Sequence, residues 1–360
     1  VPGVTNKQQN ALFLLFVAVV AAGGFWLARR GEAPGGLLSA VPRDAFLVVT
    51  IDVEALRKSP LAPSLLGGDA TKLLGAGDIS ATCGFDPIGR AKEIAIAVPE
   101  GGDQGDFGVV AMGDLHEAEL AECGKKLMAA RGGTSKRSTR GSFTLLEDTA
   151  EGGARPKIAL REGGPLIVGR GAWLDAMLDA AEGKAPNVLA GSPHMKLRDA
   201  LAKRDAKPRA VIATAVLPKS LRERLKHEMG AEVDADGGAN VAMGGVLSVE
   251  IAGVAITAGA AGQESEAAAE LRCETADACE EVKKLILRKR LTFSKDVGVR
   301  LVGLGPLIDS LDVVTSGTTL TASAHAPTED IAKAIDRVLR LRNERPRPPP
   351  PPSASAAGSH

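Results

Sequence analysis

The sequence predicts an α+β protein, with an N-terminal transmembrane helix followed by two tandem related units of mainly antiparallel sheet with packed helices. Three observations lead there. The run ALFLLFVAVVAAGGFWLA, residues 11–28, carries no charge. Further on, short apolar or alternating runs bounded by Gly and Pro recur between amphipathic helical stretches, as in layered sheet and helix. And PRAVIATAVLPKSLRERL, residues 208–225, reads as a diverged copy of PRDAFLVVTIDVEALRKSPL, residues 42–61.

Residues 1–10 form an N-terminal tail, and 11–28 the anchor. As a helix, those 18 residues reach about 27 Å, enough for the hydrocarbon layer. Trp26 suits the interface, and Arg29 and Arg30 end the run. The competing reading is a cleavable signal peptide, with Val20 and Ala22 as the small residues before a cut at Gly23. The apolar run continues past that point, which favours an uncleaved single pass. Lys7 precedes the span and two arginines follow it, a local balance that slightly opposes export. The chain begins at Val1, which leaves the basic charge of the first flank uncounted. The cysteines, below, argue for a large domain outside the cytoplasm, so the expected location is a cell membrane, crossed once, with that domain on its outer side.

Residues 29–40 read as a linker, and the first α+β unit as 41–184. AFLVVTI (45–51) is apolar on both faces, as in a strand covered on both sides. Asp52 is placed to cap a short helix from Val53. EIAIAVP (93–99) alternates, with Ile94, Ile96 and Val98 on one face, and DFGVVAMG (106–113) is its partner strand. Asp114 opens a helix in capping-box spacing with Glu117, with an inward stripe of Leu120, Gly124, Leu127 and Met128. RGGTSKRSTRG (131–141) reads as a loop, and KIALREGGPLIVG (157–169) as a hairpin. Leu174, Met177, Leu178 and Ala181 then form a helical stripe stopped by Gly183.

A connecting segment, 185–206, leads to the second unit, 207–343. RAVIATAVL (209–217) is a strand, and Pro218 sits at the start of a helix. GGVLSVEIAGVAITAGAAG (244–262) reads as a hairpin, EAAAELRCE (266–274) as a strand, and TADACEEVKKLILRKR (275–290) as a helix. SLDVVTSGTTLTASAH (310–325) is a late hairpin. The final helix carries Ile331, Ile335, Val338 and Leu339 on one face. Both units share one order of elements, which is the basis for reading them as related. PRPPPPPSASAAGSH lies within a Pro-rich disordered tail, 344–360.

VPRDAFLVVTIDVEALRKSPL (41–61) and GPLIVGRGAWLDAMLDAAEGKAPNVLAGSPHMKLRDAL (164–201) resemble a family of bacterial membrane-anchored proteins with a duplicated α+β ectodomain, a domain of unknown function. The resemblance covers most of 41–342. It implies the same fold and anchor, and it brings no catalytic residue or cofactor to transfer.

Composition narrows the function. Lys+Arg and Asp+Glu are both 44, so the net charge is zero and there is no general attraction for nucleic acid. Tyr is absent, with two Trp and eight Phe, so stacking platforms for bases are few. The four cysteines, Cys83, Cys123, Cys273 and Cys279, fit an oxidising compartment. Cys273 with Cys279 would tie a strand end to a helix start, and Cys83 is available to Cys123; four buried free thiols are the alternative. CETADAC has five intervening residues and no neighbouring His, a poor zinc site.

His116, in DLHEAEL, lacks the second His of a zinc-protease helix. His227 lies near a helix C-terminus, and His194, His325 and His360 fall in loop, strand-end and tail contexts. There is no G-x-S-x-G and no phosphate-binding loop; GLGPL (303–307) is a turn. Asp52 with Glu54 is explained by helix capping. Arg131, Lys136, Arg137 and Arg140 form the sharpest basic cluster, a solvated face or a contact for anionic lipid or polymer.

No cofactor or metal is expected. The leading expectation is a membrane-anchored, extracytoplasmic, non-enzymatic binding or scaffold protein of the envelope, with an envelope protein as partner. The alternative is a carrier or sensor of an apolar ligand, with aliphatic walls between sheet and helices. An envelope hydrolase ranks third.

Overall fold

The structure, a computed structural model, describes residues 36–66, 79–100, 106–149, 155–204, 208–230 and 245–343, with backbone only at 225–230, 339 and 341–343. The N-terminal tail 1–10, the apolar run 11–28 and the Pro-rich tail lie outside the described residues. Among the described residues, no helix is long and apolar enough to cross a membrane.

The chain enters through a 3-10 turn, Leu37–Ala40, followed by β1 (Leu47–Asp52). The Asp52 carboxylate accepts from the Ala55 amide at 2.8 Å and starts α1 (Val53–Arg57), as its position predicts. Short helices α2 (Ala62–Leu66), α3 (Ile79–Cys83) and α4 (Pro87–Arg90) lead to the pair β2 (Ala91–Val98) and β3 (Gly108–Gly113). Helix α5 spans Glu117–Ala129. The hairpins β4 (Ser135–Arg140) with β5 (Phe143–Asp148) and β6 (Lys157–Leu160) with β7 (Leu166–Gly169) follow, then α6 (Gly171–Ala181) and α7 (Pro193–Ala202).

The second half runs β8 (Arg209–Val216), α8 (Lys219–Gly230), β9 (Val249–Thr257) and β10 (Glu264–Cys273). It continues with α9 (Ala276–Lys295), α10 (Val297–Val302) and α11 (Gly305–Asp309). It ends with β11 (Asp312–Ser316), β12 (Thr319–Pro327) and α12 (Thr328–Asn343).

The twelve strands among the described residues belong to one antiparallel sheet, ordered β11-β12-β10-β9-β8-β1-β2-β3-β7-β6-β5-β4. At its middle β1 pairs with β8, with Val48 opposite Thr214. Outward from that seam one wing reads β1-β2-β3-β7-β6 and the other β8-β9-β10-β12-β11. Chain order and sheet order thus agree position by position over five strands. The β4–β5 hairpin is extra to the first wing. In each wing the third strand leads into a helix, α5 or α9, on the same face of the sheet. The last helices differ: α6 covers the opposite face from α12.

The two faces of the sheet are packed unequally. The first face is covered by the 3-10 turn, α6 and α7. There Val48, Ala95, Ala97, Val110 and Ile167 are fully buried against Trp173, Leu174 and Met177. Gly253 belongs to this face because Leu197 and Leu201 of α7 occupy its side-chain space; a Cβ would sit 2.7 Å from Leu197 Cδ2. The second face carries α1, α2, α5, α9 and α12 at its flanks. Between them one cross-strand row, Val109, Ile96, Val49, Ala213, Val254 and Ala269, is wholly apolar yet only half-buried, and Val254 is exposed. AFLVVTI is therefore covered on one side and half-open on the other.

Several sequence expectations need correcting. The expected linker 29–40 ends early, because Leu37, Leu38 and Ala40 are buried in the core. Residues 131–141 are not all loop, since 135–140 form β4 on the sheet edge, where charged residues suit an unpaired strand. The N-cap of α5 is His116, not Asp114. The hairpin expected inside 244–262 is instead β9 paired with β10 across 258–263, with Gly253 mid-strand. Within the connecting segment 185–206, α7 buries Leu197 and Leu201 in the core.

Candidate functional site

The second face holds a cavity of about 260 Å³ beneath α5. Its floor is sheet: Ile94 of β2, Val109 and Ala111 of β3, Leu166 and Val168 of β7, and Ile158 of β6. Leu120, Cys123, Gly124 and Leu127 form the roof. Ile79, Pro87 and Ile88, from α3 and α4, close one side. Every described lining side chain is apolar. Gly124 lets the helix approach, since a Cβ there would lie 3.1 Å from Leu146 Cδ1 and 3.3 Å from Ile158 Cδ1.

The space is half-open, not a sealed void. An apolar wall offers water no partners. The arrangement can therefore take an apolar group.

A covalent brace holds this wall. Cys83, the last residue of α3, is bonded to Cys123 of α5, and Cys273 at the end of β10 is bonded to Cys279 in the first turn of α9. No described cysteine is free. Both pairings are the expected ones, not the alternative of four free thiols.

The other candidates do not converge. Strand alternation divides the basic cluster: Arg137 turns to α5 and pairs with Glu117 at 3.0 Å, while Arg140 turns to α6 and pairs with Asp175 and Asp179. Arg131 lies beyond α5, and Lys136 shares the face of Arg140. Asp52 and Glu54 border a cleft of about 470 Å³ with Lys58, Thr257 and Gln263, where Asp52 is occupied as a cap and Glu54 pairs with Lys58. A further cleft, of about 500 Å³, is bordered by Glu182. The Lys184 ammonium and the Ser142 amide hold the Glu182 carboxyl down to about 2, in a staple between α6 and the β4–β5 turn.

His194 is fully buried on α7, at the seam between the two wings. Its Nε2 donates to the Ala45 carbonyl at 2.8 Å, and its Nδ1 accepts from the Thr214 hydroxyl at 2.9 Å. Burial pushes its pKa below the ordinary 6.5, so the ring is neutral. This is a structural histidine, not a loop residue. His116 sits near Asp114 at 3.4 Å and is exposed, and His325 is on β12. The His227 side chain and all of His360 lie outside the described residues. Among the described residues, no three His, Cys, Asp or Glu side chains are grouped to hold a metal ion.

The cavity was not anticipated as a place in the sequence. Its one signal was Gly124, a residue without a side chain in an otherwise bulky inward stripe.

No family model and no curated protein matches the sequence. Among solved structures the chain is similar to TP0453. Crystal form III aligns at 11% identity and a TM-score of 0.46 over 84% of this chain and 98% of that one. Form I aligns at 10% identity and a TM-score of 0.46 over 86% of this chain and 100% of that one.

Proposed function

We propose that this protein is a non-enzymatic binding protein whose ligand is apolar and chain-like, received by the cavity beneath α5 and the half-open face beside it. The observation that carries the reading is the lining of that cavity, apolar at every described position, next to a central sheet face that keeps its aliphatic side chains half-exposed. A groove walled by aliphatic residues takes a hydrocarbon without specific polar anchors. The Cys83–Cys123 bond keeps the roof from collapsing onto the floor.

The matched strand order of the two wings supports reading the chain as two copies of one unit, with the ligand site elaborated in the first. Two disulfides suit an oxidising compartment, and the uncharged run 11–28 suits an anchor that holds the domain on the outer side of a bacterial membrane. Thiol labelling of intact cells tests that placement: labelling by a membrane-impermeant reagent only after external reduction supports it, and thiols reactive only after lysis oppose it.

The binding reading is tested by titrating the delipidated protein with a fluorescent fatty acid. Ala111→Phe puts a ring into the cavity from its floor. The variant is expected to lose most of the probe signal while keeping its far-UV spectrum. Equal binding by both proteins refutes the site.

A further inference from the structure

The described residues have ten exposed large hydrophobic side chains, and four fall within eleven positions at the end of α9 and in α10: Leu291 at 63%, Phe293 at 44%, Val297 at 70% and Leu301 at 71%. A fifth, Val338, lies beside them, because Arg337 of α12 donates to the carbonyls of Leu301 and Val302 at 2.9 and 3.2 Å. The hydrophobic contacts of α9 with the sheet, through Ala278, Cys279 and Val282 and then Ile286 and Leu287, stop before these residues. The end of α9 thus runs past the core.

The same stretch is strongly basic. Between 283 and 302 stand Lys283, Lys284, Arg288, Lys289, Arg290, Lys295 and Arg300, against one acid, Asp296. Asp296 is used as the cap of α10, accepting from the Val299 amide at 3.0 Å. Arg300 is paired with Asp309, and Arg290 donates to the Asp309 carbonyl. Lys284, Arg288, Lys289 and Lys295 are exposed and have no ion-pair partner among the described residues. Solitary exposed leucines are ordinary on protein surfaces; apolar side chains gathered on a helix end among unpaired cations are the mark of an interfacial segment.

We infer that the end of α9 together with α10 forms a membrane-surface contact selective for anionic lipid. Phe293, Val297 and Leu301 enter the boundary between headgroups and chains, whereas Leu291 projects from α9 about 200° away from Phe293 and stays outside that contact. Arg288, Lys289 and Lys295 remain at the headgroup phosphates, with their stems along the apolar surface. This surface shares no residue with the cavity beneath α5 and does not depend on it.

The test is amide hydrogen exchange on the full chain reconstituted into vesicles of pure phosphatidylcholine or of phosphatidylcholine with one-third phosphatidylglycerol. Backbone amides of 289–302 are expected to exchange more slowly in the anionic vesicles than in the zwitterionic ones, while those of β1 and β8 stay unchanged. Phe293→Asn with Leu301→Asn, both at exposed sites, is expected to abolish the difference. Each of Arg288→Gln, Lys289→Gln and Lys295→Gln is expected to lower the protection about fivefold. Equal exchange in both vesicle types overturns the inference. So does protection that appears without vesicles and grows with protein concentration, which would assign the patch to a second copy of the chain.

Discussion

Replacing Cys83 and Cys123 together by alanine opens a loop of 40 residues. The loop-closure relation gives an entropy of about 13 cal/mol/K for that length, or about 4 kcal/mol at 25 °C. The same relation gives about 2 kcal/mol for the Cys273–Cys279 loop of six residues. Both sites are buried, and Cys to Ala removes only a sulfur, so the cavity term is small beside the chain term. Equilibrium urea unfolding of the two double variants measures both losses. The first variant is also expected to show faster amide exchange over 117–129, because α3 no longer braces α5 above the cavity. Equal losses in the two variants, or a loss under about 1 kcal/mol for the Cys83/Cys123 pair, would show that packing alone holds the roof.

Other perturbations follow from particular contacts. Gly253→Ala drives a methyl against Leu197 and Leu201 and is expected to cost about 1–3 kcal/mol in urea unfolding; a neutral result would mean that α7 sits further from β9. Leu56→Ala empties a cluster shared by α1, β8 and α12, and an expected loss of about 2–5 kcal/mol is checked by the same assay. His194 has a folded pKa below 6.5, so as pH falls through 6.5 the unfolded chain takes up a proton that the folded chain refuses. Its contribution is therefore complete above pH 6.5 and declines below it. Thermal unfolding from pH 8 to pH 5 is expected to show that decline in the native protein and a flatter curve in His194→Gln; parallel curves would contradict the assignment.

Much of the fold was legible because local chemistry and tertiary packing agree. Asp52 caps where a cap was expected, the α6 stripe of Leu174, Met177, Leu178 and Ala181 is buried, and the cysteines pair as expected. Errors arose where a residue's role is set from a distance. Residues 244–262 read as a hairpin because nothing local reveals that α7 fills the side-chain space of Gly253 and that the strand runs straight through it. The edge strand β4, SKRSTR, has no apolar face of its own and so carries no strand periodicity. His194 read as a loop residue because both of its partners, Ala45 and Thr214, come from other elements. The site itself was least legible. Its lining is ordinary aliphatic core, and only the assembled sheet and helix reveal that the space between them is unfilled.

The most direct measurement is native mass spectrometry of the full chain purified gently from the cells that make it, followed by analysis of the organic extract. The account predicts one acyl-chain compound bound per chain in the native protein and none in Ala111→Phe. A native protein that carries no bound apolar compound, and binds none when offered fatty acid after delipidation, would contradict it.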